Sequence, residues 1–203
     1  MGAGDDNSTD IETKVKAFAK DMEAACATLR KASMDKAAKD NKDPKKKAAD
    51  PPVVTFALSQ NKDSGSRTPA EQAAQVADGK SWVCWGAHMA DKARHVIMKA
   101  NGSVTWDAKK TMGDDFDAFK KKWGEVMSKN GLKNYKGEDG WGPGDEFHLE
   151  LPDSKISKTD ERVGACLAEY AKLTRKDGKA KNDKFEKDYS SLLEKYVSQY
   201  DKK

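Results

Sequence analysis

No stretch of this chain reaches the roughly 18 consecutive apolar residues that a bilayer crossing requires, so a membrane-spanning helix is not expected. Residues 1–10 are acidic and lack an apolar core, which argues against a cleavable secretory signal. Asp6 stands where a myristoylation pattern calls for Ser or Thr. Cysteine is scarce: Cys26, Cys84 and Cys166 are odd in number, widely spaced and without a C-x-x-C pair. That pattern suits reduced thiols, either in a cytoplasm or in a protein exported without a cleavable signal, better than a disulfide framework. There is no internal repeat, and no glycine pattern of the dinucleotide or P-loop kind, so no organic cofactor is implied. One-sided charge is missing too. Lys and Arg number 38 against 34 Asp and Glu, and the lysines mostly alternate with acids instead of gathering with aromatics, so a nucleic-acid partner is not expected. Lys45-Lys46-Lys47 reads as part of a solvated linker.

What is present fits one core with helical extensions, since 203 residues do not comfortably supply two full domains. Thr9-Asp10-Ile11-Glu12 has the form of a capping box, and Val15, Phe18, Met22, Ala25, Leu29 and Ala32 follow at helical spacing, with Cys26 beside that stripe. A long amphipathic helix over 1–38 is the result, facing the protein's own core or a partner helix. Charge and proline replace periodicity over 39–52, the mark of a connector. Residues 53–151 carry the α+β core. Val53 to Leu58 reads as a strand, and Thr68-Pro69-Ala70-Glu71 opens a short helix that Gly79 closes. Asp114 or Asp115 opens another, with Phe116, Phe119, Trp123 and Met127 inward and Asn130-Gly131 as its stop. A glycine-rich loop surrounds Trp141, and residues 146–151 alternate as a strand with Phe147, Leu149 and Leu151 on one face and Glu146, His148 and Glu150 on the other. Residues 152–203 form a helical hairpin packed on that core. The fold class is α+β, a small antiparallel sheet with flanking helices.

Residues 81–100 read two ways. As a helix they have an N-cap at Ser81, a stop at Asn101-Gly102, and Trp82, Trp85, Met89, Ala93 and Val96 along one side. As strands, Arg94 to Lys99 and Ser103 to Trp106 form a hairpin through Asn101-Gly102. The abundance of Ala, Met and Lys favours the helix.

The helix would place Cys84 in a first turn, where unpaired N–H groups and the helix dipole favour a thiolate. His148, flanked by Glu146 and Glu150, would then serve as base, with Glu150 holding the imidazole tautomer. The competing reading makes Cys84 a buried small hydrophobe and His148 a half-exposed strand residue. Cys84-Trp85-Gly86-Ala87, followed by Gly144-Asp145 and then His148 on a strand, resembles the papain-like cysteine hydrolases, in particular compact bacterial peptidoglycan amidases. The resemblance covers 79–151 and implies Cys84 as nucleophile, His148 as base and amide hydrolysis, perhaps of cell-wall peptide, as the reaction. Trp85, Trp141 and Gly144 are the candidate substrate-binding residues. All three histidines suggest an alternative: His88 and His95 are two helical turns apart, and His148 would complete a zinc site with Asp145 or Glu146 as base. Asp145-Glu146-Phe147-His148 is similar to the acid-x-x-His end of zinc dipeptidases that cut D-alanyl peptides. A third expectation is a non-catalytic protein-binding module, using the first helix and the tyrosine-lined last one. The partner is thus a peptide or protein, as substrate or as ligand, and the oligomeric state is left open.

Overall fold

The computed structural model describes residues 5–40, 50–60, 65–81, 83–134, 147–154, 156–176 and 182–200, with backbone alone for 5–9, 175–176 and 195–200. They divide into two units, Met1–Ser64 with Arg94–Pro152, and Gly65–Ala93 with Asp153–Lys203. The architecture is α+β. This division differs from a single 53–151 core bearing a C-terminal hairpin, because the excursion 65–93 leaves the sheet and joins the tail.

The first unit is built on helix α1 (Asp5–Asp40). It begins before Thr9, so the expected capping box lies within the first turns. Ile11, Val15, Phe18 and Met22 are fully buried and Cys26 nearly so, each large side chain contributing roughly 1.5–3 kcal/mol by leaving water. Past Leu29 the stripe reaches the surface, and Ala32 is exposed. Burial pushes the Cys26 thiol up to about 12, with Glu23 adding a smaller electrostatic contribution.

Strand β1 (Val54–Leu58) pairs antiparallel with β2 (Ala93–Ala100), Val54 opposite Ala100 and Leu58 opposite Val96. The outer edge of β1 is met by α1, whose Glu23 carboxylate accepts the Phe56 N–H at 2.9 Å. β2 turns directly into β3 (Ser103–Thr105). Asn101 and Gly102 have φ of 48° and 83°, the paired left-handed conformation of a type I′ hairpin, which Asn-Gly adopts at least cost. The helix expected over 81–100 is therefore corrected. Residues 83–92 run as bends and turns, and the dipeptide that looked like a helix stop is a hairpin turn. Val96, Ile97 and Met98 fit a strand, and pairing with β1, about 40 residues earlier, outweighs the local preference of Ala, Met and Lys.

After β3, a short helix α3 (Ala108–Met112), capped by the Asp107 side chain, and a 3-10 turn (Gly113–Asp115) lead into α4 (Phe116–Lys129). α4 buries Phe119, Trp123, Val126 and Met127, and Gly131 with φ of 63° terminates it as expected. β4 (His148–Glu150) also pairs with β2. The His95 carbonyl accepts from Ser59 while the Val96 N–H donates to Phe147, so β1 takes one edge of β2, and β3 and β4 share the other.

In the second unit, α2 (Pro69–Ala77) starts at the Thr68–Glu71 capping box read from the sequence. Its apolar face, Ala73, Val76 and Ala77, packs on α5 (Glu161–Lys176), which contributes Val163, Cys166, Leu167 and Tyr170. Helix α6 (Asp183–Tyr200) packs on α5 through Phe185 and is kinked at Tyr189. The Trp85 ring meets Tyr189 edge to face at 4.5 Å.

Candidate functional site

Alternation along β4 sends Phe147 and Leu149 into the aromatic core and His148 and Glu150 to the other side. That other side is not the solvated polar face expected of it: His148 is 6% and Glu150 7% exposed. Burying two ionisable side chains is costly unless they satisfy each other, and here they do. His148 Nε2 lies 3.2 Å from Glu150 Oε2, and Lys133 Nζ lies 3.5 Å from Glu150 Oε1. Lys133 is fixed by a backbone bridge to Glu150, 2.8 Å in both directions. The next residue, buried Asn134, donates its amide to the His148 carbonyl at 2.9 Å. A carboxylate only accepts, so Nε2 is the donor in this contact.

His95, on β2, stands beside this pair with its ring edge-to-face to that of His148, centroids 5.1 Å apart. Nitrogens of the two rings lie within 4.8 Å of each other. Two ligands of a tetrahedral zinc stand about 3.3 Å apart when each bond is about 2.05 Å, a separation that small side-chain rotations reach. Arg94 next to His95 looks like an obstacle to a metal when the segment is read as a helix. In a strand, neighbours point to opposite faces, and buried Arg94 reaches Glu12 of α1 at 3.6 Å instead. Strand geometry thus brings His95 and His148 together with Glu150 and turns the arginine away.

The remaining candidates belong to the second unit or lie outside the described residues. Cys84 sits in a bend, not in the first turn of a helix, so no helix dipole stands behind its sulfur. It is fully buried among Val76, Met89, Leu167 and Phe185. Its thiol hydrogen-bonds that of Cys166, and this contact, followed by burial, pushes the Cys166 thiol well above its ordinary range. His88 is also in the second unit, in the turn 87–91, with Nδ1 2.8 Å from the Gly65 carbonyl. Trp85 is half-buried against Tyr189, with the Lys158 ammonium 4.8 Å from its ring centre. Trp82, Trp141, Gly144, Asp145 and Glu146 lie outside the described residues.

Three residues here carried no sequence signal. Lys133 and Asn134 follow a helix stop and read as loop. Gln72 lies on the apolar face of α2, 1% exposed, and holds the start of the Cys84 loop. Its amide nitrogen donates to the Val83 carbonyl at 2.6 Å and the Ser81 hydroxyl at 2.8 Å, while its oxygen accepts from Arg67 at 3.1 Å. A cleft of about 450 Å³ lies among the end of α1, Pro51–Pro52 and residues 110–115, lined in part by Lys36, Asp40, Lys110 and Asp114, without histidine or cysteine. Compared with family models, curated proteins and solved structures, the chain matches none of them.

Proposed function

We propose that this protein is a metal-dependent hydrolase of amide bonds whose metal, a divalent ion of the zinc class, is held by His95 and His148. The observation behind this reading is a pair of imidazoles in edge-to-face contact, His95 half-buried and His148 buried, the latter hydrogen-bonded to a carboxylate. A histidine that binds metal characteristically gives its other N–H to a carboxylate, which fixes the tautomer and strengthens the lone pair directed at the ion. Glu150 would play that part for His148, with Lys133 and Asn134 holding Glu150 and the β4 backbone in place. A zinc-class ion in such a place supplies a water acidic enough to ionise near neutral pH and polarises the carbonyl under attack. The amide substrate is carried over from the sequence reading.

This reading is preferred to a cysteine hydrolase because Cys84 is fully buried and hydrogen-bonded to a second thiol. A competent nucleophile needs an activated, accessible thiolate. Elemental analysis of protein purified without added metal, followed by hydrolysis assays on amide and cell-wall peptide substrates with and without chelator, tests the proposal. Bound zinc-class metal and chelator-sensitive turnover, both lost in His148→Ala, support it. Turnover that persists in chelator and disappears in Cys84→Ala would place the chemistry on the thiol. His88→Ala in the same assays reads whether His88 adds the third nitrogen expected from the sequence.

A second reading, a protein-binding module, is favoured by one observation. Among the described residues the exposed large hydrophobics are Val53, Val104 and Trp106, at 50–56% exposure, and all belong to one end of the sheet. Val53 hydrogen-bonds Asn101 of the hairpin turn, and Val104 lies opposite Lys99 on β3. Exposed apolar residues gathered at one end of a sheet offer a surface for a partner. Concentration-dependent self-association that is abolished by Trp106→Lys would support this reading; a monomer at every concentration would leave it without support.

A further inference from the structure

Three cysteines without a recognisable pair in the sequence become two neighbours and one outsider in the fold. Cys26 belongs to the first unit, on α1. Cys84 and Cys166, 82 positions apart, are both fully buried in one apolar cluster of the second unit, and their free thiols share a hydrogen bond. Each is carried on backbone that is held on its own account. The Gln72 amide pins residues 81 and 83 ahead of Cys84, Trp85 immediately after it packs on Tyr189, and Cys166 is in the middle of α5, which packs on α2. Nothing in this arrangement depends on His95, His148 or Glu150.

We infer that Cys84 and Cys166 are a dithiol that closes to a disulfide, tying the loop after α2 to α5 within the second unit. Closure brings the two sulfurs, which already meet in one apolar cluster, to the bond length of about 2.05 Å. The reaction removes two electrons and two protons, and the oxidant is a small disulfide such as oxidised glutathione. One protein thiolate attacks the glutathione disulfide and releases one glutathione thiol. The second protein thiolate then attacks the mixed disulfide, forms the Cys84–Cys166 bond and releases the other glutathione. Burial shields both sulfurs in the folded protein, so closure takes place while the chain folds and is slow afterwards. In a reducing compartment the pair stays as two thiols, and in an oxidising one it becomes a staple across about 80 residues.

The test is refolding of the full chain, reduced and denatured, in a mixture of reduced and oxidised glutathione, followed by non-reducing peptide mapping and intact-mass measurement. The expected product has lost about 2 Da, links Cys84 to Cys166, leaves Cys26 open to alkylation, and melts on the order of 10 °C above the reduced protein. Cys26→Ala forms the same bond. The inference is overturned by a disulfide that includes Cys26, or by Cys84 and Cys166 recovered as free thiols or glutathione adducts in correctly folded protein. A linked product that has lost its native circular dichroism also overturns it, since the bond would then be incompatible with the fold.

Discussion

Two tryptophans of the first unit provide a controlled comparison. Trp123 is fully buried, and its ring lies 4.7 Å from that of Phe18, 5.7 Å from Phe147, and 5.9 Å from both Phe56 and Phe119. Trp106 is 56% exposed, with an edge-to-face contact to Phe147 at 5.8 Å. Replacing a buried tryptophan by alanine costs about 3–5 kcal/mol. Each aromatic pair adds about 0.5–1.5 kcal/mol beyond area, so Trp123→Ala belongs at the upper end, near 5 kcal/mol. For a unit of about 120 residues, one kcal/mol moves the melting temperature by roughly 3–5 °C, and the expected drop is about 15–25 °C. The same substitution at Trp106 loses partial burial and one ring contact, about 1 kcal/mol, hence about 5 °C or less. Thermal melts of the full chain, followed by circular dichroism at matched concentration, read both. Equal shifts for the two variants, or a Trp123→Ala shift as small as that expected at Trp106, would refute the assignment of Trp123 to the centre of this core.

Other consequences follow from single contacts. Thr68→Ala removes the cap of α2, whose hydroxyl accepts from Glu71 N–H, and is expected to lower stability by about 1 kcal/mol in denaturant titrations, with Thr68→Ser restoring most of it. The Arg162 guanidinium, hydrogen-bonded to both Asp160 oxygens at 2.9 and 2.7 Å, holds that carboxyl down at about 2. Because the folded value lies below the unfolded one, about 3.9, the stabilisation is present above roughly pH 4 and is lost as pH falls toward 2. Asp160→Asn keeps a cap for α5 but loses the charge. Its deficit is expected to be about 1 kcal/mol or less near pH 6, since the pair is partly exposed and solvent-screened, and to vanish near pH 2. A deficit that grew on acidification would contradict the pairing.

The helical parts of this fold were legible because their signals are local. The α2 capping box, the stripe from Val15 to Met22 on α1, and the run Phe119–Trp123–Met127 on α4 all depend on residues within a few turns, and each lies where its spacing puts it. Residues 81–100 were misleading for the opposite reason. Asn101-Gly102 ends helices and turns hairpins equally well, and the deciding partner, β1, is remote in sequence. The same error carried through to chemistry: a first-turn cysteine vanished with its helix, and an arginine that seemed to crowd His95 moved to the other face of a strand. Of the expected catalytic set, His148 and Glu150 do meet, because residues two apart on a strand share a face. The pairing of Cys84 with Cys166, the buried amide of Gln72, and the Lys133 and Asn134 supports are products of tertiary packing, which leaves no period in the sequence.

Titration of apo-protein with zinc by isothermal calorimetry reads whether His95 and His148 bind metal with Glu150 behind His148. One site per chain is expected, lost in His95→Ala and in His148→Ala and weakened about 10- to 100-fold in Glu150→Gln, with all three variants still folded. Absence of saturable zinc binding by the intact chain, or binding that is indifferent to both histidine substitutions, would contradict it.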